Sequence, residues 1–283
     1  MEHHYKQQDW KTLVNMFSPF GFMGTKEAGT DPDAQAFIDA TGISGTDATA
    51  INDLVVGLKA DNTWNKFKVI YPMVGGTATT MKYNLVDPQD TDAAYRITWV
   101  GGSNTFDSNG VTFPGNTSNY GNCHIILSGS TFDLNSGHLS MYNRTVGSQY
   151  TFFGARQSSP ANSSTILVTD TSASFSGYCG PSVASRGTIS KSTGFTVVSR
   201  TGSAYEETSV DGTVELVYTG SSTVLSSIEF YIGCRNLNGA PSFAAFPTFN
   251  CAFASVGDGL SASEVASVYT RVQDFQTTLG RQV

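Results

Sequence analysis

Between Ser227 and Tyr269 the chain spells out a strand, a polar loop, a second strand and a capped helix, an order that leaves few folds open. In Ile228-Glu229-Phe230-Tyr231-Ile232-Gly233, Ile228, Phe230 and Ile232 share one face and Glu229 and Tyr231 the other, because successive side chains of a strand point oppositely. One face of that strand is therefore buried. After the loop Arg235-Asn236-Leu237-Asn238-Gly239, the run Cys251-Ala252-Phe253-Ala254-Ser255-Val256 reads as another strand, closed by Gly257-Asp258-Gly259. Ser261 stands three residues before Glu264, the spacing of a capping box. Val265, Val268, Tyr269, Val272 and Phe275 follow at helical spacing, so the terminal helix carries an apolar stripe.

Upstream the chain is mostly strand-like. The expected strands are Tyr95 to Val100, Cys123 to Leu127, Leu139 to Val146, Tyr150 to Ala155, Thr165 to Thr169, Phe195 to Ser199 and Val214 to Tyr218. Asn109-Gly110, Pro114-Gly115-Asn116, Ser136-Gly137, Asp211-Gly212 and Asn238-Gly239 punctuate them as turns. Short strands separated in this way indicate a sandwich or jelly roll rather than alternating βα units. Ahead of them, Asp31-Pro32 starts a short helix that stops at Gly42, and a second helix from about Thr46-Asp47 presents Ile51, Leu54, Val55 and Leu58 on one face. Residues 1–33 read as an arm, in which Trp10, Phe17, Phe20 and Phe22 are interrupted by Pro19, Gly21 and Gly24. Such an arm cannot fold on itself, and docking onto another subunit is the expected way to cover it.

The Tyr-Ile-Gly strand, the polar loop, the next strand and Gly259-Leu260-Ser261 leading to Glu264-Val265 resemble the last part of the concanavalin A-like, laminin-G-like jelly roll. Val210-Asp211-Gly212 is similar to the Asn/Asp-Gly hairpin that precedes these strands in that family. The chain also looks like structural proteins of tailed bacteriophages carrying such a domain, with Tyr71-Pro72-Met73-Val74-Gly75-Gly76 and Phe275 to Arg281 as further points of likeness. The resemblance implies a mainly β, concanavalin A-like jelly-roll sandwich (67–283), preceded by an N-terminal anchoring arm (1–33) and a helical segment (34–66) and closed by a C-terminal amphipathic helix. It further implies sugar binding through loop Asn and Asp groups beside an aromatic ring. Here that mix falls on Asn104, Asp107, Asn119 and Tyr120.

Other chemistries lack their parts. A net charge of -7 argues against a phosphate-tracking surface, so no nucleic-acid partner is expected. The start of the chain lacks a secretory core, and nowhere do eighteen apolar residues run together, so neither export on its own signal nor membrane insertion is expected. Cys123, Cys179, Cys234 and Cys251 have no paired Cys-x-x-Cys spacing. They read as buried thiols, with a Cys234–Cys251 disulfide as the alternative. Asp87, Asp90 and Asp92 lack the calcium-loop pattern and read as a surface loop, and no metal or other cofactor is expected. The Glu206-Glu207 doublet near a turn reads as solubilising. No Glu-x-Asp-x-Glu run appears; its substitute is Glu215 with Glu229, opposed if a hairpin centred near Ser222 joins their strands.

The reading is therefore a non-enzymatic virion structural protein of a bacteriophage, a lectin-like homo-oligomer assembled in the host cytoplasm. Its partners are other virion proteins, through the arm, and a host-surface glycan. A polysaccharide-degrading glycoside hydrolase and a bacterial carbohydrate-binding module are the alternatives.

Overall fold

A computed structural model describes residues 29–127, 131–145, 152–158, 163–168, 177–181, 187–244 and 248–283. The arm residues Trp10, Phe17, Phe20 and Phe22 lie outside them. Asp31 to Val283 forms one compact unit.

Helix α1 (Pro32–Thr41) begins where the Asp-Pro pair places it: the Asp31 carboxylate accepts the Asp33 N–H at 3.0 Å, and the helix ends on Gly42 at φ 69°. Helix α2 (Gly45–Ala60) buries Ile51, Leu54, Val55 and Leu58. Strands follow as β1 (Phe67–Tyr71), β2 (Thr98–Val100), β3 (Thr105–Asp107), β4 (Gly110–Phe113), β5 (Tyr120–Asn122), β6 (Gly137–Asn143), β7 (Phe152–Gln157) and β8 (Ser163–Val168). Next come β9 (Gly177–Pro181), β10 (Gly194–Gly202), β11 (Tyr205–Val210), β12 (Thr213–Tyr218), β13 (Tyr231–Ile232), β14 (Cys234–Leu237), β15 (Ala240–Ala244) and β16 (Phe249–Gly257). Helix α3 (Ala262–Thr278) closes the chain with the expected capping box, in which Ser261 and Glu264 each bond the other's backbone N–H. Two of the three Asx-Gly signals form the loops of two-residue hairpins: Asp211 and Gly212 have φ of 46° and 76°, Asn238 and Gly239 of 54° and 91°. At the third, Gly110 pairs with Asp107 and the loop is Ser108-Asn109.

The strands form two sheets, as a mainly β sandwich requires. The inner sheet runs β12-β11-β10-β6-β16-β4-β3, with β1 sharing the β4 edge of β16. The outer sheet runs β15-β14-β7-β13-β5-β2, with β8 on β7 and β9 on β8. Val69, Leu139, Met141, Val198, Cys251 and Val256 of the inner sheet meet Phe153, Phe230 and Ile232 of the outer sheet in one core. On its other face the inner sheet presents Phe67, Ile70, Tyr142, Phe195, Val197 and Phe253 to the helices. The inner sheet is thus covered on both sides, which is why every residue of β16 is buried.

A bulge in β16 decides how the helices are fastened. The register with β6 shifts between Cys251 and Phe253, and Ala252 has no registered partner in β6, β4 or β1. Arg281, just beyond α3, fills the gap: its Nη2 donates to Ala252 O at 2.8 Å and Pro72 O at 2.7 Å, its Nη1 to Met73 O at 2.7 Å, and its Nε to Gln276 Oε1 at 2.6 Å. The side chain is 1% exposed, and burial lowers its pKa to about 10, so it stays charged at neutral pH. The two stretches singled out in the sequence, Tyr71 to Gly76 and Phe275 to Arg281, are therefore joined by one guanidinium.

Several expectations are corrected. Glu206 and Glu207 are not solubilising, being 1% and 2% exposed. Glu206 pairs with buried Arg200 at 2.9 Å and accepts the Tyr178 N–H, tying β10 and β11 to β9 of the other sheet. Burial raises the pKa of Glu207. Glu215 and Glu229 do not face each other, because the chain leaves the inner sheet after β12 and Glu229 enters the outer one. Regular pairing covers only part of Ile228 to Gly233, although Phe230 still exchanges backbone bonds with Cys123 and Ile125. Strands β3, β4, β5, β9, β11, β14 and β15 are short or polar and escape the apolar pattern, and the expected strand Cys123 to Leu127 is irregular chain that follows β5. Cys123, Cys234 and Cys251 are buried free thiols.

Two stability predictions follow from these buried groups. Arg281→Met and Arg281→Lys each leave backbone carbonyls without a fitting donor, so urea denaturation should show a loss on the order of 3 kcal/mol; unchanged midpoints in both would contradict the pinning role. His138, wholly buried, donates through Nδ1 to Asp258 O at 2.7 Å and accepts the Ser255 hydroxyl at Nε2 at 3.1 Å, since a carbonyl can only accept. Burial lowers its pKa to about 4 from 6.5. Between those values the unfolded chain binds a proton that the fold refuses, so this contribution is complete above pH 6.5 and declines as pH falls toward 4. In His138→Gln the slope of stability against pH in that window should flatten by up to about 1.4 kcal/mol per pH unit; equal slopes would exclude His138 as the cause.

Candidate functional site

The helices leave the outer sheet's far face to side chains of another kind. Phe230 and Ile232 point into the core, so Glu229 and Tyr231 point away from it. A Cβ on Gly121 would meet Ile97, Ile232 and Trp99, which places Gly121 inward and Tyr120 and Asn122 outward. The register sets Thr98, Asn122, Tyr231 and Gly154 in one row across β2, β5, β13 and β7. With no side chain at Gly154, Tyr231 has room beside it.

Tyr120 lies over Tyr231 with ring centroids 4.5 Å apart and planes inclined at 29°. Tyr231 is 7% exposed and forms the floor, while Tyr120 is half-buried above it. Burial and the neighbouring Tyr120 push the Tyr231 hydroxyl up to about 12. It is a neutral donor and acceptor throughout the physiological range.

Beside the ring pair runs a polar chain. Asn122 Nδ2 donates to Glu229 Oε2 at 2.7 Å, and Asn122 Oδ1 accepts the His124 N–H at 3.0 Å. His124 Nδ1 meets Glu229 Oε1 at 3.0 Å; the carboxylate can only accept, so Nδ1 carries the proton and, in the neutral ring, the Thr98 hydroxyl donates to Nε2 at 2.8 Å. Asp92 Oδ1 stands 3.4 Å from Nε2 and accepts from Arg96 Nε at 3.0 Å. His124 has φ of 53°, a left-handed conformation uncommon outside glycine, held here by the Asn122 side chain. Local backbone strain therefore coincides with a partly exposed cluster of aromatic, amide, imidazole and carboxylate groups on this face.

The residues singled out in the sequence are dispersed around this face. Tyr120 is part of it. Asn119 is 6% exposed and braces two loops, its Oδ1 accepting the Ser103 N–H at 2.8 Å and its Nδ2 donating to Asn116 Oδ1 at 2.7 Å. Gly101, at φ 83°, allows that brace, because a Cβ there would run into the Asn119 amide. Asn104 donates to Val100 O at 3.2 Å, across the ladder from Tyr120. Asp107 lies in β3 of the inner sheet, where it accepts the Asn109 N–H at 2.7 Å and shapes a turn. Asp90 and Asp92 pair with Lys82 and Arg96, and among the described residues no three His, Cys, Asp or Glu side chains converge as a metal site. Asn122, His124 and Glu229 were not legible as a group, since His124 and Glu229 are 105 residues apart.

No family model matches the chain, and no curated protein matches it by sequence. Among solved structures it is similar to domain 4 of AbnA, an extracellular arabinanase from Geobacillus stearothermophilus solved in complex with arabinotriose, with TM-score 0.43 and 15% identity over 72% of this chain and 98% of that one. It is similar to the botulinum neurotoxin serotype D binding domain, with TM-score 0.44 and 10% identity over 73% and 51% of the two chains. A mutant sialidase of Trypanosoma rangeli displaying trans-sialidase activity gives TM-score 0.47 and 14% identity over 81% and 39%. This chain thus spans about half of the toxin domain's chain and two-fifths of the sialidase. No residue or activity transfers from them.

Proposed function

We propose that this chain is a non-enzymatic, lectin-like component of a tailed-phage particle that holds a host-surface glycan on the outer sheet. The observation that carries the binding is the Tyr120–Tyr231 stack: a half-exposed ring, backed by a second ring, beside fixed amide, hydroxyl and carboxylate groups. An aromatic plane takes the apolar C–H face of a sugar, and oriented polar groups take its hydroxyls with little loss of entropy on binding. The non-enzymatic half is supported by the separation of Glu215, on β12 of the inner sheet, from Glu229, which precedes β13 of the outer sheet, and by the commitment of Glu229 to His124 and Asn122. The virion half is supported by the likeness of Tyr71 to Gly76 and Phe275 to Arg281 to phage structural proteins, two stretches that Arg281 makes one unit. The particle is its place of action, as a homo-oligomer anchored to other virion proteins through the N-terminal arm.

A glycan panel tests binding and turnover together. Wild type should bind without hydrolysis, Tyr120→Ala should bind at least about tenfold more weakly, equivalent to about 1.4 kcal/mol, and Glu229→Gln should show no turnover either. Hydrolysis by wild type that is lost in Glu229→Gln would replace this reading with a glycoside hydrolase. Assembly is tested separately by deleting residues 1–30. The remaining compact unit should stay folded by circular dichroism yet fail to multimerise or enter particles; a truncated chain still incorporated would remove the anchoring role.

A further inference from the structure

A second concave site lies on the helical segment, away from the tyrosine pair. A cleft of about 360 Å³ is lined by Asp33, Lys59, Asn62, Trp64 and Asn65. That volume falls at the small end of ligand pockets, which run about 300–1,000 Å³. Its wall is the 3₁₀ turn Trp64–Lys66 that follows α2.

The turn is held rigidly from both sides. Asp61, which caps α2, is gripped by Arg271 of α3 at 2.7 Å and 2.8 Å. Asn62 then takes φ of 58°, and buried Thr63 returns both its N–H and its hydroxyl to Leu58 O. Trp64 packs part of its ring on the helix-side core and remains half-buried, with the rest lining the cleft. Lys59 Nζ sits 5.6 Å from the ring centroid and is fixed by Asp31 and Asp33, each at 2.6 Å. Against the cost of burial, pairing with Lys59 lowers the pKa of Asp31 and pairing with the two carboxylates raises that of Lys59.

What the cleft offers is hydrogen-bonding capacity left unused beside an aromatic wall. The side-chain amides of Asn62 and Asn65 are exposed and bond to nothing among the described residues, and the Trp64 indole N–H meets no acceptor among them, whereas Trp99 spends its own on Ala78 O. A surface turn explains the φ of Asn62. It does not explain an indole and two free amides lining one cleft on a rigid support. Lys59, the cation in the cleft lining, is already held by both Asp31 and Asp33, so no unpaired positive charge there favours an acidic ligand. We infer that this cleft is a second saccharide site, selective for neutral sugars, with Trp64 as its apolar wall and Asn62 and Asn65 as its hydroxyl partners.

The indole Nε1–H resonances of the full chain, labelled with ¹⁵N and assigned with Trp64→Phe, report the site directly. Titration with methyl glycosides of glucose, galactose, mannose and N-acetylglucosamine should shift the Trp64 signal saturably for at least one of them. Asn65→Ala, at an exposed position, should weaken that binding roughly tenfold, and Tyr120→Ala should leave it unchanged. A silent Trp64 signal for every neutral sugar overturns the inference, as does an equal response to N-acetylneuraminic acid. Loss of the signal in Tyr120→Ala would assign the response to the sheet face and remove the second site. Retention of the Trp64 response when Tyr120→Ala has no effect on any glycan keeps this site while the tyrosine face fails.

Discussion

The guanidinium of Arg281 sits where α3, β16 and the segment after β1 meet, and the layering of the molecule depends on it. A charge this deeply buried, with no carboxylate among the described residues bonded to it, costs several kcal/mol to desolvate. Four bonds of 2.6–2.8 Å offset that cost, because hydrogen bonds to a charged group contribute about 1.5–3 kcal/mol each. Ala252 lies at the bulge, outside the registered pairs of β16 with β6, β1 and β4, where its carbonyl is open to the guanidinium. The arrangement needs the planar fork of arginine, which reaches several carbonyls at once where an ammonium cannot.

Fastening the helices onto the inner sheet makes the two sheets unequal. Both faces of the inner sheet are committed to cores, so many of its polar groups are inward. Some pair with one another, as with Arg200 and Glu206 or His138 and Ser255, while Thr196 Oγ1, Ser209 Oγ and Asn250 Oδ1 meet no partner among the described residues. The outer sheet has only one face in the core. Its other face is where Tyr120, Asn122, His124 and Glu229 gather, and there a strained residue is tolerated because its side chain is bonded at both ring nitrogens. The helical segment contributes differently: its turn at Trp64 is stiff because Arg271 and Leu58 hold it, so a shallow cleft keeps its shape without a ligand.

Local signals were read well wherever the physics was local. The Asp31 cap, the Ser261–Glu264 box, the stripe of α2 and the two Asx-Gly hairpins each depend on residues a few positions apart, and each lies where the pattern put it. The failures share a cause. Glu206 and Glu207 look soluble beside a turn, yet Arg200 and the burial of the strand ends draw them inside. Glu215 and Glu229 look like hairpin partners, yet the intervening segment crosses between sheets. Asn119 has the composition of a ligand group and is occupied in bracing its own loops.

The amino-acid order alone determined a mainly β body with helices before and after it, because periodicity, caps and turn residues act within a few residues of chain. It also marked the residue types from which a sugar site is built, Tyr120 among them. Only the tertiary structure decided that Tyr231 lies beneath Tyr120, that His124 meets Glu229, and that Arg281 closes the bulge in β16. These are contacts between distant segments whose partners are chosen by strand register and sheet order, and neither quantity is written in any short stretch of sequence.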